Sequence, residues 1–368
     1  MKLSLSILIL FSAVYSSAQK QNFLLAGTYT KGKNVGIYVY DFNSREGSLK
    51  PVDSISSVNP SYLAVSPNQK FVYAVSETTK GKVRSFSFDK KTGHLSFLNE
   101  RSSGGDNPCY ITVDKTGQWA IVGNYSSGTL AVLAINKDGS LGEAVSSAKH
   151  EGSGVNKQRQ ASPHVHSTVL SPDNKFLFVP DLGIDKIMIY SFDEITGKIS
   201  PAKDSAAKLQ DGSGPRHFDF HPNKKTAYLV QEMAGTVTVF NYDKGSLKAV
   251  QTIRTVPEEF HQSYTGADIH VSPDGKFLYS SNRDSSNTIA VFKIDQKTGK
   301  LNFITNQSTL GRTPRNFTLH PSGNFLIAAN QNSDSIVVFK KDRKTGLLTD
   351  TGHGISVGNP VCLKWIEK

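Results

Sequence analysis

The chain has 368 residues, a formal net charge of +11 and two cysteines, Cys109 and Cys362. Two thiols exclude a disulfide-framework fold, so stability has to come from a hydrophobic core. The lysines are scattered through turns such as DKKTGH, DQKTGK and KDRKTG, with no basic run or stripe. That excludes a nucleic-acid footprint but leaves a mildly positive field that attracts small anions.

In chain order, the first segment is MKLSLSILILFSAVYSSAQK, with Lys2, an apolar stretch over residues 3–15, and small Ser16 and Ala18 before Gln19. This is the layout of a secretory signal peptide, which predicts a cleaved leader over residues 1–18 and export to the periplasm or the exterior. No cysteine follows the cleavage point, so no lipid anchor is expected. No later segment is apolar for long enough to cross a bilayer.

Residues 19–368 read as one domain because two signals repeat along them. The first is a hairpin: FNSREGSLK, FDKKTGHLSF, INKDGSLG, FDEITGKIS, YDKGSLKAV, IDQKTGKLNF and KDRKTGLLTD, each a strand end, a polar turn closed by Gly, and a new strand. The second precedes the hairpins, as in NPSYLAVSPNQKFVYAVSE, GPRHFDFHPNKKTAYLVQE and TPRNFTLHPSGNFLIAANQ. An alternating strand reaches a tight turn, and a strongly apolar strand leads into a polar end. With a third strand such as TVTVFNYD, each unit has four antiparallel strands. Seven such units predict an all-β, seven-bladed β-propeller. The last unit, NPVCLKWIEK, supplies only an innermost strand; NFLLAGTYT and GIYVYDF complete its blade, so both termini close the ring. Cys109 and Cys362 fall one whole blade apart, and no disulfide is expected.

Registering the repeats on their turns places equivalent residues side by side. The inner strand begins with Ser61, Cys109, His166, Arg216, Ala267, Arg315 and Val361. The second strand, running back beside it, ends with Tyr29, Glu77, Tyr125, Leu182, Glu232, Arg283 and Gln331, preceded by Thr28, Ser76, Asn124, Asp181, Gln231, Asn282 and Asn330. The start of the first strand and the end of the second share one rim of the channel. His166, Arg216, Glu232 and Arg283 are therefore expected to converge at one mouth, with Arg315, Glu77, Asp181, Asn282 and Gln331 around them. Arginines at a concave mouth suit a carboxylate or phosphate ligand. Two insertions, HEGSGVNKQRQASPHVH and RTVPEEFHQSYTGAD, overhang the same rim and bring His150, Arg159, His164, His261 and Tyr264, read here mainly as loop surface.

Other chemistry is not expected. His164 and His166 in PHVH lack a third ligand at a convincing spacing, so no metal or other cofactor is predicted. There is no GxSxG elbow and no P-loop. His221 and His320 in HP turns read as turn residues, and Phe277, Tyr279 and Phe325 as blade packing.

The motifs PHVHS, SPDNKFLFVPDLGIDKI, GPRHFDFHP with YLVQE, SPDGKFLYSSNR and GRTPRNFTLHPSGNFL resemble the seven-bladed propeller lactonase family, which contains bacterial 6-phosphogluconolactonases and fungal carboxymuconate lactonising enzymes. The resemblance implies hydrolysis of an anionic sugar lactone. It implies a catalytic His, two Arg and a Glu, which match His166 (with His164 as competitor), Arg216, Glu232 and Arg283. A monomer with a small-molecule partner, and with no membrane contact once the leader is gone, is expected. Either Glu232 or His166 would serve as base. Export sits poorly with a cytosolic phosphorylated substrate. Two alternatives stay open, a non-catalytic exported propeller that binds glycan or protein, and a carboxymuconate-type cycloisomerase.

Overall fold

The structure, a computed structural model, describes residues 22–32 and 34–367. The leader expected over residues 1–18 lies outside them. The described chain forms seven four-stranded antiparallel sheets, each pairing in the order inner, second, third and outer strand. The fourth blade is representative, with strands Pro215–Phe220, Thr226–Gln231, Thr236–Asp243 and Ser246–Arg254. The ring closes as the repeats require. Pro360–Glu367 is the inner strand of the blade whose other three strands are Asn22–Thr28, Gly36–Asn43 and Ser48–Ser56, with Leu25 opposite Lys364 and Gly27 opposite Cys362.

Burial explains why these strands sit where they do. Second strands such as Trp119–Asn124, Thr226–Gln231 and Phe325–Asn330 are buried at every position, because neighbouring blades cover both faces. Outer strands such as Leu141–Lys149 alternate towards solvent. The core consequently lies between blades: Tyr228, Val230 and Val237 pack with Ile269, Leu278 and Ala290 of the next sheet. The turn glycines serve this packing. Gly139 has φ +85, and a Cβ there would lie 2.1 Å from the Phe71 ring of the preceding blade. Its carbonyl accepts from Tyr73 Oη at 3.1 Å, and Gly299 and Gly346 accept in the same way from Tyr228 and Tyr279.

The third blade departs from the pattern. Its inner strand is reduced to Val169–Leu170 with a lone bridge between Val165 and Asp181. Pro180 in the opposing strand has no N–H to give the ladder, although its carbonyl still accepts from His166 N at 3.0 Å. Ser167 and Thr168 turn their hydroxyls sideways instead, to the carbonyls of Arg216 and Ile121 in the adjoining blades. Both cysteines are buried and free. No helix among the described residues is long and apolar enough to cross a membrane. His221 and His320 sit in their turns, each accepting a backbone N–H two residues on through Nδ1.

Candidate active site

One mouth of the channel opens into a cavity of about 600 Å³, within the range of small-ligand sites, whose wall includes Glu77, Cys109, Arg159, His166, Glu232, Arg283 and Arg315. Two features of the repeat make it polar. A register shift between Pro215 and His217 bulges Arg216 out of the ladder, and the same shift falls at Cys109 and Arg315. Glu232, Glu77 and Arg283 each follow the last residue of a second strand.

Glu232 is the hub. Its Oε2 accepts from Arg216 Nε at 3.0 Å and lies 3.1 Å from Arg283 Nη2, while Oε1 accepts from Arg159 Nη2 at 2.6 Å. Burial works against its charge, yet Arg283 and Arg216, with Arg159 bonded to the other oxygen, hold the carboxyl well below the usual range. Arg216, 1% exposed, is brought down to about 10 by burial and by the Arg283 and Arg315 guanidiniums, and stays charged at neutral pH. The carboxylate gains from all three arginines, whereas each arginine shares it with two like charges.

His166 Nε2 stands 3.9 Å from Glu232 Oε2, beyond hydrogen-bond reach, so that nitrogen is not committed to the carboxylate. Burial, then Arg216 and His217, push His166 well below its ordinary value and keep the ring neutral. Cys109 Sγ lies 3.8 Å from His166 Nδ1. Burial, then Glu77, push the thiol up, which disfavours the thiolate.

The opposite wall carries Arg315, whose guanidinium lies over the Tyr29 ring at 5.5 Å. Among the described residues it has no ion-pair partner. Burial disfavours its charge, but Tyr29, Glu77 and Glu232 hold it protonated. Glu77 Oε2 accepts from Tyr29 Oη at 3.0 Å. Beside Arg315, Thr313 lines the cavity at φ +57. The equivalent residue before proline is Asn59, Asn107, Gly214 or Asn359 in four other blades, all with positive φ. Asn and Gly tolerate that conformation, and a β-branched residue is strained in it. Thr313 Oγ1 accepts from Asn332 Nδ2 at 2.8 Å, which leaves its own hydrogen free.

The register brings His166, Arg216, Glu232, Arg283, Arg315 and Glu77 to this mouth, with Arg216 beneath the surface. Four other expected residues lie off the cavity wall. His164 stacks on Tyr125 at 4.4 Å and donates Nδ1–H to its carbonyl. Asp181 is buried, with its carboxylate taken by His150 Nδ1 at 2.6 Å, His164 N at 2.7 Å and Gly183 N at 2.9 Å. Asn282 donates to the Thr255 carbonyl at 2.9 Å and accepts from its hydroxyl at 2.6 Å, pinning the root of the second insertion. Gln331 donates its backbone N–H to Thr313, and the neighbouring Asn332 faces the cavity. Strand alternation accounts for Asp181 and Asn282: they end the second strand, one residue before the position of Glu232 and Arg283, so their side chains turn to the other face. Asn124 and Asn330 do the same, donating to the carbonyls of Ser103 and Thr309, each the residue after the preceding blade's outer strand.

Of the insertion residues, Arg159 reaches the cavity and His150 is buried against Asp181, whereas His261 is exposed. Tyr264 packs on Gly235. Arg159 was legible only as a cation in a loop over the right rim. Among the described residues no group of three or more His, Cys, Asp or Glu is placed to hold a metal.

Residues 23–365 match the family model described as lactonase, 7-bladed beta-propeller. A 6-phosphogluconolactonase of Bacillus subtilis is 35% identical over 346 residues, 93% of this chain and 97% of that protein. The crystal structure of a putative 6-phosphogluconolactonase from Bacteroides fragilis superposes with a TM-score of 0.90 at 39% identity, covering 95% of this chain and 99% of the other. The periplasmic gluconolactonase PpgL of Pseudomonas aeruginosa superposes with a TM-score of 0.90 at 36% identity, covering 94% and 99%. The chain belongs to the seven-bladed β-propeller lactonase family and is a lactone hydrolase.

Proposed function

We propose that the protein is an exported hydrolase of sugar lactones that carry or develop a negative charge, acting at the Glu232 mouth. The observation that carries this reading is the division of cations: Arg216, Arg283 and Arg159 share one carboxylate, and Arg315 across the cavity makes no ion pair among the described residues. Ring opening adds water to the lactone carbonyl and builds charge on its oxygen. Arg283 and Arg159, which line the cavity, donate to that oxygen, with Arg216 and Glu232 fixing them from behind. Arg315 and the Thr313 hydroxyl take the anionic or hydroxyl-rich end of the substrate.

His166 is the base in this scheme. Glu232 is engaged by three guanidiniums and is a poor proton acceptor, whereas His166 is neutral and its Nε2 is uncommitted. A substrate anion offsets the cationic field that depresses the imidazole and raises its basicity where it is needed. A periplasmic relative agrees with export, and with gluconolactone-type substrates outside the cytosol. The test is a panel of sugar lactones, phosphorylated and not, followed by proton release with and without chelator. Turnover insensitive to chelator, and lost in Arg216→Ala and Glu232→Gln, is expected. No acceleration over spontaneous opening on any lactone would favour a binding propeller, and wild-type rates in both variants would remove these residues from the reaction.

A further inference from the structure

Below the floor of the cavity lies a buried polar chain that the hydrolytic scheme does not use. The inner strands Pro215–Phe220, Gly266–Val271 and Pro314–Leu319 contribute to it His217, Asp268 and Asn316, each one position further along than Arg216, Ala267 and Arg315. His217 is 5% exposed and Asp268 1%. His217 Nδ1 is 2.7 Å from Asp268 Oδ1, and His217 Nε2 is 3.3 Å from Arg216 Nη1. Because an ionised carboxylate only accepts, Nδ1 carries the ring proton. The lone pair on Nε2 therefore faces the guanidinium and accepts from it. Burial and then Arg216 lower His217 to about 3, so the ring is neutral and this tautomer persists at neutral pH.

Asp268 is in turn fixed from several sides. Its Oδ1 also accepts from Ile269 N at 3.0 Å, and Oδ2 accepts from Asn316 Nδ2, from Phe317 N and from His270 Nε2 at 3.1 Å. The imidazole of His217 is boxed edge-on by Tyr62, Tyr110 and His166, with centroids 5.7, 5.2 and 5.4 Å away. His217 thus touches both the arginine behind Glu232 and the base proposed above.

We infer that Asp268 and His217 are positioning residues for lactone hydrolysis: the carboxylate sets the His217 tautomer, and its Nε2 holds Arg216 Nη1 so that Arg216 Nε meets Glu232. The other hold on Nη1 is the Ala267 carbonyl. The guanidinium is therefore gripped along its Nη1 edge by two acceptors on adjoining strands, and Nε is left to aim the carboxylate. The principle is that of a functional group oriented by partners behind it, where displacements of an ångström cost rate and not binding. The inference rests on the assignment of Arg216 and Glu232 to the reaction.

The experiment measures kcat, KM and Tm for His217→Phe, His217→Gln and Asp268→Asn on the lactone that the wild-type protein opens fastest, beside Arg216→Ala. Phe fills the aromatic box without polar atoms and is expected to lower kcat about ten- to a hundred-fold with KM nearly unchanged. Gln offers a donor and an acceptor spaced like the two ring nitrogens and should restore most of that loss. Asp268→Asn, which releases the tautomer while leaving the ring in place, should fall with Phe, and it carries the test if Phe does not fold. Wild-type kcat in Asp268→Asn and in any folded His217→Phe, with Arg216→Ala inactive, overturns the inference and spares the reaction scheme. Gln no better than Phe, with losses that track Tm alone, overturns it as well by assigning the pair to the fold. An active Arg216→Ala instead removes the scheme on which it rests.

Discussion

Arg159 and Arg216 reach the same carboxylate from opposite sides, and exposure should decide what each contributes to stability. The Arg159 side chain is 43% exposed on an insertion and bonds Glu232 at 2.6 Å; Arg216 is 1% exposed on an inner strand and bonds it at 3.0 Å. Distance alone would rank Arg159 higher. Solvent screens the exposed pair, however, so Arg159→Met should cost about 0.2–1 kcal/mol. Removing Arg216 leaves the buried Glu232 with one of its two inner cations, and also leaves His217 Nε2 and the Ala267 carbonyl without a donor. Breaking such a buried pair costs about 3–5 kcal/mol. For a chain of this length a kilocalorie moves Tm by roughly 1–2 °C, so Arg216→Met should melt roughly 3–10 °C lower and Arg159→Met within about 2 °C of wild type. Calorimetry reads the difference directly, and lactone turnover measured on the same samples should fall in both. Equal melting shifts, or a larger one for Arg159→Met, would refute the assignment of the buried arginine as the structural half of the pair.

Thr313→Asn relieves the positive-φ strain that its counterparts in other blades avoid, and should gain about 1 kcal/mol while weakening substrate binding; a raised Tm with a raised KM is the expected signature. Stability should fall as pH drops below about 6.5, because burial holds His166, His217 and His320 below that value in the folded chain while the unfolded chain takes up their protons. Each contributes stability that is complete above about 6.5 and is lost towards its folded value, at about 1.4 kcal/mol per pH unit, read from urea midpoints between pH 8 and 5. His270 acts in the opposite sense: Asp268 raises it despite burial, so its contribution is complete below about 6.5 and declines at higher pH. Deleting residues 360–368 removes the strand that pairs with Asn22–Thr28, and loss of the cooperative thermal transition is expected.

Much of this molecule was legible in one dimension because a propeller is a repeat. Turn glycines such as Gly139 and Gly299, and strands such as FLYSSN, recur with their packing partners, so counting strands gave the blades, the closure by both termini, and the ring on which Arg216, Glu232 and Arg283 meet. The repeat fixes where a residue begins or ends a strand. It does not fix which way the side chain turns, and Asp181 and Asn282 face away from the mouth because a strand alternates its faces. Nor can a repeat speak for insertions: Arg159 arrives from an added segment that most blades lack, and only folding brings it across to Glu232, 73 positions further along. The division of charge was also invisible in the sequence, since three guanidiniums on one carboxylate and a fourth with no ion pair among the described residues depends on distances of a few ångströms between strands far apart in the chain. Sequence therefore determined the fold and the ring of candidates, and tertiary packing determined which of them face the cavity and which are already spent on one another.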